Sequence, residues 1–190
     1  MIIPATDRFV IHARNQLEQG NAIAYPTDTI YGFGADATNK DAIEKINLMK
    51  NRETPLSIMV DTVDKINNFG HLDDMQERIL NRYLPGPYTF LIYSKSSSLS
   101  NKITIDSDKV AIRIPDNIFC KKLTSGFGPI VTTSVNIHKE PSINDPVVIN
   151  NKFNNIYVYS DRAIDRVLSS TIVDISDGKL NILRHGQGII

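Results

Sequence analysis

The chain has one cysteine, Cys120, so no disulfide can form within it. A reducing compartment suits such a chain, and a cytoplasmic location is expected. No apolar run approaches the length that crosses a bilayer, so no membrane association is expected. Met1 to Pro4 is too short for a secretory signal and lacks its charged start. Net charge is absent too. Lys and Arg number 21 against 21 for Asp and Glu, so no overall basic field marks a nucleic-acid binder, although a local basic groove remains open. The histidines (His12, His71, His138, His185) are scattered without ligand spacing, and no metal site is expected from them. Gly32 and Gly34 are not followed by Gly-Lys-Ser/Thr, which excludes a Walker loop. They allow tight turns or close backbone approach.

What is present fits one α/β domain over residues 1–190, long enough to bury a single core. Thr6 can cap a helix with Phe9, Val10, Ala13 and Leu17 inward and Gly20 at its end. Residues 22–25 read as a buried strand stopped by Pro26. A helix follows from Thr38 or Asn39, with Ala42, Ile43, Ile46 and Met49 on its inner stripe. Strands are expected at 56–60, 89–93, 110–114, 130–136 and 156–159, with a hairpin of 171–175 and 180–183. Helices are expected at 62–69, at 72–83 with Met75, Ile79, Leu80 and Tyr83 inward, at 117–123 behind an Asp116 cap, and at 144–154. Residues 94–108 read as a mobile polar surface loop. No βαβ rhythm repeats, so the sheet is expected to be mixed and largely antiparallel, with flanking helices.

Three stretches carry chemistry. Residues 24–52 gather Thr27, Asp28, Thr29 and Tyr31 before the two glycines, then run through a helix to Lys50 and Arg52. Two cations near a helix end complement its dipole; they share one side only if the chain is already extended after Met49, and would then suit a polyphosphate. Along 110–114 the alternation puts Arg113 beside small Ala111, opposite the branched residues. That is either a solvated sheet face or a guanidinium fork aimed into a cavity. Along 131–136 the same alternation aligns Thr132, Ser134 and Asn136 as a polar strip.

Together these segments resemble the YrdC-like family of threonylcarbamoyl-AMP synthases over nearly the whole chain. The carriers are Pro26 to Ala37, Lys50-Asn51-Arg52, Pro85-Gly86-Pro87, Arg113-Ile114-Pro115, Ser134-Val135-Asn136, Ser170 to Asp174 and Ile182-Leu183-Arg184, in the family's order. The resemblance implies a twisted mixed sheet with an open concave face. It implies an enzyme of the short, single-domain form that joins L-threonine, bicarbonate or CO2, and ATP into threonylcarbamoyl-AMP and pyrophosphate. Magnesium would accompany ATP. The product would pass to a tRNA-threonylcarbamoyl transfer complex, with direct tRNA contact as a further expectation. Lys50, Arg52, Ser134 and Asn136 would be catalytic and hold the triphosphate, with Ser142 and Arg184. Arg113 would clamp the threonine carboxylate, while Thr27, Thr29, Tyr31, Thr132 and Ser170 would orient the amino acid. Rival readings are a non-catalytic RNA-binding module and a carbamoyl-AMP chemistry related to hydrogenase maturation. Two departures stand out. Only Glu53 and Thr54 separate Arg52 from Pro55-Leu56 where relatives usually carry four residues, which removes an ATP contact and sets an acid beside the phosphates. Lys109 stands where relatives often have threonine, and can replace the missing cation.

Overall fold

Alternation along the strands decides which face of the sheet each side chain takes, and the helices decide how much of each face is covered. The structure is a computed structural model that describes residues 1–161 and 168–190. Its strands are β1 (Ile2–Pro4), β2 (Ile23–Tyr25), β3 (Gly32–Gly34), β4 (Ser57–Met59), β5 (Tyr88–Tyr93), β6 (Lys109–Arg113), β7 (Ile130–Ser134), β8 (Tyr157–Ser160), β9 (Thr171–Asp174) and β10 (Asn181–Arg184). Its α-helices are α1 (Asp7–Glu18), α2 (Lys40–Lys50), α3 (Asp74–Tyr83), α4 (Ile118–Ser125) and α5 (Pro146–Lys152). The strands form one sheet in the order β1-β8-β2-β3-β7-β4-β6-β5-β9-β10. Pairing is mixed: β1 and β2 run parallel to β8, β4 to β6 and β5 to β9, and the other neighbours are antiparallel.

One face is covered along its length. Ala24, Phe33, Ile58, Phe90, Ile112, Val131, Val158 and Val173 point there and pack against α2, α3 and α5 through Ile43, Ile46, Leu80 and Ile149. The other face is covered at one end. There Ile23, Tyr25, Met59, Ile130 and Tyr159 meet Val10, Ala13 and Leu17 of α1 and Phe119 and Leu123 of α4. Beyond that cluster the same face carries Thr132, Ser57, Ala111, Arg113 and Thr89. The gap between covered and uncovered halves is where the cavity forms.

Local chemistry explains most boundaries. Asn39 caps α2 by accepting from the backbone N–H groups of Asp41 and Ala42. Asp73 and Gln76 form a reciprocal capping box on α3. The helix after Pro115 is capped by Asn117, whose carbonyl accepts from Cys120 N–H, rather than by Asp116. Other expectations fail for physical reasons. Met75 is 59% exposed, because the capping box turns Gln76 inward in its place. Residues 64–68 form a 3-10 turn rather than a longer helix. The 94–108 loop is pinned: Ile103 is buried, its carbonyl accepts from Leu56 N–H at 2.9 Å, and Ser100 N–H donates to the Ala37 carbonyl at 2.9 Å. β1 and β3 escape periodicity because each has three residues.

β3 shows what its glycines do. Neither has a positive φ; the demand is for closeness. A Cβ on Gly34 would stand 2.5 Å from Cε1 of buried Tyr25 and 3.2 Å from Ile130. Gly34→Ala is therefore expected to cost about 1–3 kcal/mol by overpacking, read as a lower denaturant midpoint.

Candidate functional site

On the uncovered half-face lies a cavity of about 400 Å³, within the range of small-molecule sites. Register builds its floor. Ser57 on β4 lies directly between Thr132 on β7 and Ala111 on β6, and Gly32 on β3 pairs with Ser134 on the other side of β7. Small and hydroxylated side chains in adjacent strands leave depth above the sheet.

Arg113 rises from this floor two residues after Ala111. It is 6% exposed, so the solvated-face reading is wrong. Its Nη2 donates to Asp28 Oδ1 at 2.6 Å and to Thr29 Oγ1 at 3.3 Å. Its Nε is buried without a hydrogen-bond partner. The residue lines the cavity, so its guanidinium contributes fixed positive charge to the wall. The loop before β3 is ordered around it: Thr27 Oγ1 donates to the Ile30 carbonyl at 2.7 Å and accepts from Thr29 N–H at 3.1 Å. Thr27 and Tyr31 line the cavity, whereas Thr29 stands behind Arg113.

The wall opposite is made by the end of α2 and the end of β7. The chain is not extended after Met49. Asn51 takes a left-handed conformation (φ 49), and Arg52 N–H reaches back to the Asn47 carbonyl at 3.0 Å, closing a 6→1 turn. That turn separates the two cations. Arg52 comes to the cavity. Lys50 stays on the helix's inner side, 3% exposed and outside the lining. Its ammonium donates to the Ser134 carbonyl at 2.5 Å, the Asn136 carbonyl at 3.3 Å and Asn136 Oδ1 at 2.7 Å. Three N–H groups meet three acceptors. Ser134 Oγ also donates to Asn136 Oδ1 at 2.7 Å, so Lys50 holds the polar strip from beneath. Burial first, and then the charge of Arg52, pull the Lys50 ammonium down to about 8.

Arg184 closes a third side from β10. Its Nη2 donates to the Ser170 carbonyl at 2.8 Å, and Ser170 Oγ lies 2.8 Å from Thr89 Oγ1. Burial, and then repulsion from Arg113, lower the proton affinity of Arg184. Thr132, Ser134, Asn136, Ser142, Ser170 and Arg184 all line the cavity. Among the described residues no carboxylate does. The lining also includes His138, Lys139 and Ser169, which the motifs did not single out.

Both departures resolve against their first reading. Glu53 does not sit beside the cavity; it pairs outward with Lys102, which also reaches Glu44 at 3.5 Å. Lys109 does not replace a cation in the cavity, because its ammonium lies 2.7 Å from Asp174 and 5.3 Å from the Tyr93 ring centre. The bond to Asp174 raises the proton affinity of Lys109.

Comparison with known proteins follows this geometry. A family model described as "Telomere recombination" (Sua5/YciO/YrdC) matches residues 15–186. The threonylcarbamoyl-AMP synthase of Pseudomonas fluorescens is 29% identical over 177 residues, covering 90% of this chain and 95% of that protein. That of Vibrio parahaemolyticus is 32% identical over 133 residues, covering 67% and 71%. The crystal structure of P. abyssi Sua5 complexed with L-threonine superposes with a TM-score of 0.88 at 25% identity, covering 98% of this chain and 57% of that one. The chain thus spans nearly all of the first relative and little more than half of the last. With the match running through the cation-lined cavity and almost the whole sheet, the chain belongs to the Sua5/YciO/YrdC family.

Proposed function

We propose that this protein is a threonylcarbamoyl-AMP synthase. The carrying observation is a cavity in which Arg52, Arg113 and Arg184 converge over a floor of small polar side chains, with no carboxylate among its described lining residues. Two anionic substrates need such a place, and the relatives named for this activity and the threonine-bound Sua5 support the choice.

In the proposed reaction the amine of L-threonine takes up CO2, or bicarbonate with loss of water, and becomes a carbamate. A carbamate oxygen attacks the α-phosphorus of ATP; that O–P bond forms as the bond to the β-phosphate oxygen breaks and pyrophosphate leaves. Arg113 takes the threonine carboxylate, with Thr27, Tyr31, Thr132 and Ser170 around the amino acid and Thr29 holding the guanidinium. Arg52, Arg184, Ser134, Asn136 and Ser142 face the phosphates, and Lys50 keeps Ser134 and Asn136 aligned. Catalysis rests on placement and fixed positive charge, the main resources of phosphoryl chemistry.

Magnesium enters this reading as the ion that ATP carries. Among the described residues no three of His, Cys, Asp or Glu converge to hold a metal and no carboxylate lines the cavity, so the described residues form no separate site for it. A tRNA-threonylcarbamoyl transfer complex is the partner that would consume the product, with direct tRNA contact and a cytoplasmic location belonging to the same proposal. Among the described residues no helix is long and apolar enough to cross a membrane. The test is direct: purified protein, ATP, bicarbonate and labelled threonine should give threonylcarbamoyl-AMP and pyrophosphate. Absence of both products overturns the proposal.

A further inference from the structure

The turn that follows β7 puts two more basic side chains on the cavity. His138 and Lys139 are exposed at its rim on the side of Arg52. Nδ1 of His138 lies 3.5 Å from Nη1 of Arg52. A guanidinium only donates, so the nitrogen facing it is the unprotonated one. The turn is held at several points. His138 N–H donates to the Lys50 carbonyl at 2.8 Å, Glu140 N–H to the Ile137 carbonyl at 3.0 Å, and the Asn136 side-chain amide to the Glu140 carbonyl at 2.8 Å.

Lys139 has a φ of 70°. A left-handed backbone is uncommon outside glycine, and glycine would adopt it without strain. A long exposed side chain at such a point contributes little packing, so its use lies in its charge. The charges facing His138 are Arg52 and Lys50 from the end of α2 and Lys139 from its own turn. Glu140, the one carboxylate of the turn, pairs with Lys152 of α5. Desolvation at the wall, then Arg52, Lys139 and Lys50, hold the imidazole below its ordinary value.

We propose that His138 and Lys139, with Arg52, seat the two terminal phosphates of the nucleoside triphosphate, and that His138 takes up a proton from solvent as they bind. The identity of the ligand rests on the synthase reading above. A polyanion beside His138 offsets the three cations and raises its proton affinity. The complex then holds more proton than its free parts between the free and bound values of the imidazole. Affinity therefore rises as pH falls through that window.

Inorganic pyrophosphate is the probe. Calorimetry in two buffers of unlike ionisation enthalpy, at about pH 6.5 where an imidazole titrates, should show more proton uptake for wild type than for His138→Gln. His138→Gln and Lys139→Gly should each bind pyrophosphate about tenfold more weakly, the scale of one charge-assisted hydrogen bond. Lys139→Gly should also raise the melting temperature, because glycine relieves the backbone; a purely structural lysine would lower it. Threonine affinity should be unchanged in both, showing an intact cavity. Pyrophosphate affinity and proton uptake equal to wild type in both variants overturn the seat, and adenylate formation by wild type would then leave the synthase reading standing. The converse pattern, weakened pyrophosphate binding in the variants with no adenylate formed by wild type, keeps the seat and sinks the synthase reading.

Discussion

Arg113→Lys is expected to raise the Michaelis constant for threonine roughly a hundredfold, the scale of a lost charge-assisted fork, while changing kcat much less. A lysine in this position keeps a positive charge near Asp28 but has neither the planar fork nor an Nε donor beside it. Lysine is the informative replacement. Arg113→Ala would leave the buried Asp28 carboxylate without its 2.6 Å partner, at a cost of about 3–5 kcal/mol, and a loss of activity would then report unfolding. The measurement is pyrophosphate release against threonine concentration, with the melting temperature as control. An unchanged Michaelis constant in a folded Arg113→Lys protein removes Arg113 from the carboxylate.

Lys50→Met carries the second large effect. Its ammonium spans the Ser134 and Asn136 carbonyls and the Asn136 side chain, so its loss frees the polar strip from its support. Adenylate formation is expected to fall more than about tenfold, the cost of a misplaced donor or two. Stability should report the same residue through pH. Folded Lys50 titrates at about 8 against 10.5 when unperturbed. Between those values the unfolded chain holds the proton and the folded one has released it, so this group's contribution rises with pH across that window. The favourable linkage is full above 10.5 and is lost as pH falls through about 8. Its size is on the order of 3 kcal/mol. Denaturation at about pH 7 and about pH 10, either side of most of that window, should show a rise in wild type that exceeds the rise in Lys50→Met. Equal rises would mean Lys50 is not held as the geometry has it.

Most of the cavity was legible because strand alternation is a strict rule. Arg113 with Ala111, and Thr132 with Ser134, could be assigned to one face from spacing alone. What spacing could not say is what covers that face. Arg113 could be solvated or buried until Asp28 and Thr29 of the loop before β3 were seen bonded to its guanidinium. Spacing left open whether Lys50 and Arg52 share one side, and the left-handed turn at Asn51 separates them. Asparagine tolerates that conformation better than most residues, so Asn51 itself was the available signal. Glu53 and Lys109 were judged by neighbours in sequence, whereas Lys102 and Asp174, which claim them, are distant along the chain. His138 and Lys139 had no signal from periodicity, lying in a turn after the strand ends.

The arginine-lined cavity sits in a chain whose formal charges cancel. Charge is therefore sorted rather than accumulated. Seen from beyond a screening length of about 10 Å the molecule is nearly neutral, so it has little pull on anionic polymers in bulk. An anion that reaches the mouth meets a field concentrated by Arg52 and Arg184, with Arg113 partly offset by Asp28 behind it. Capture is thus selective for ligands small enough to enter, and the approach rate, unlike the global charge, should weaken as salt is added.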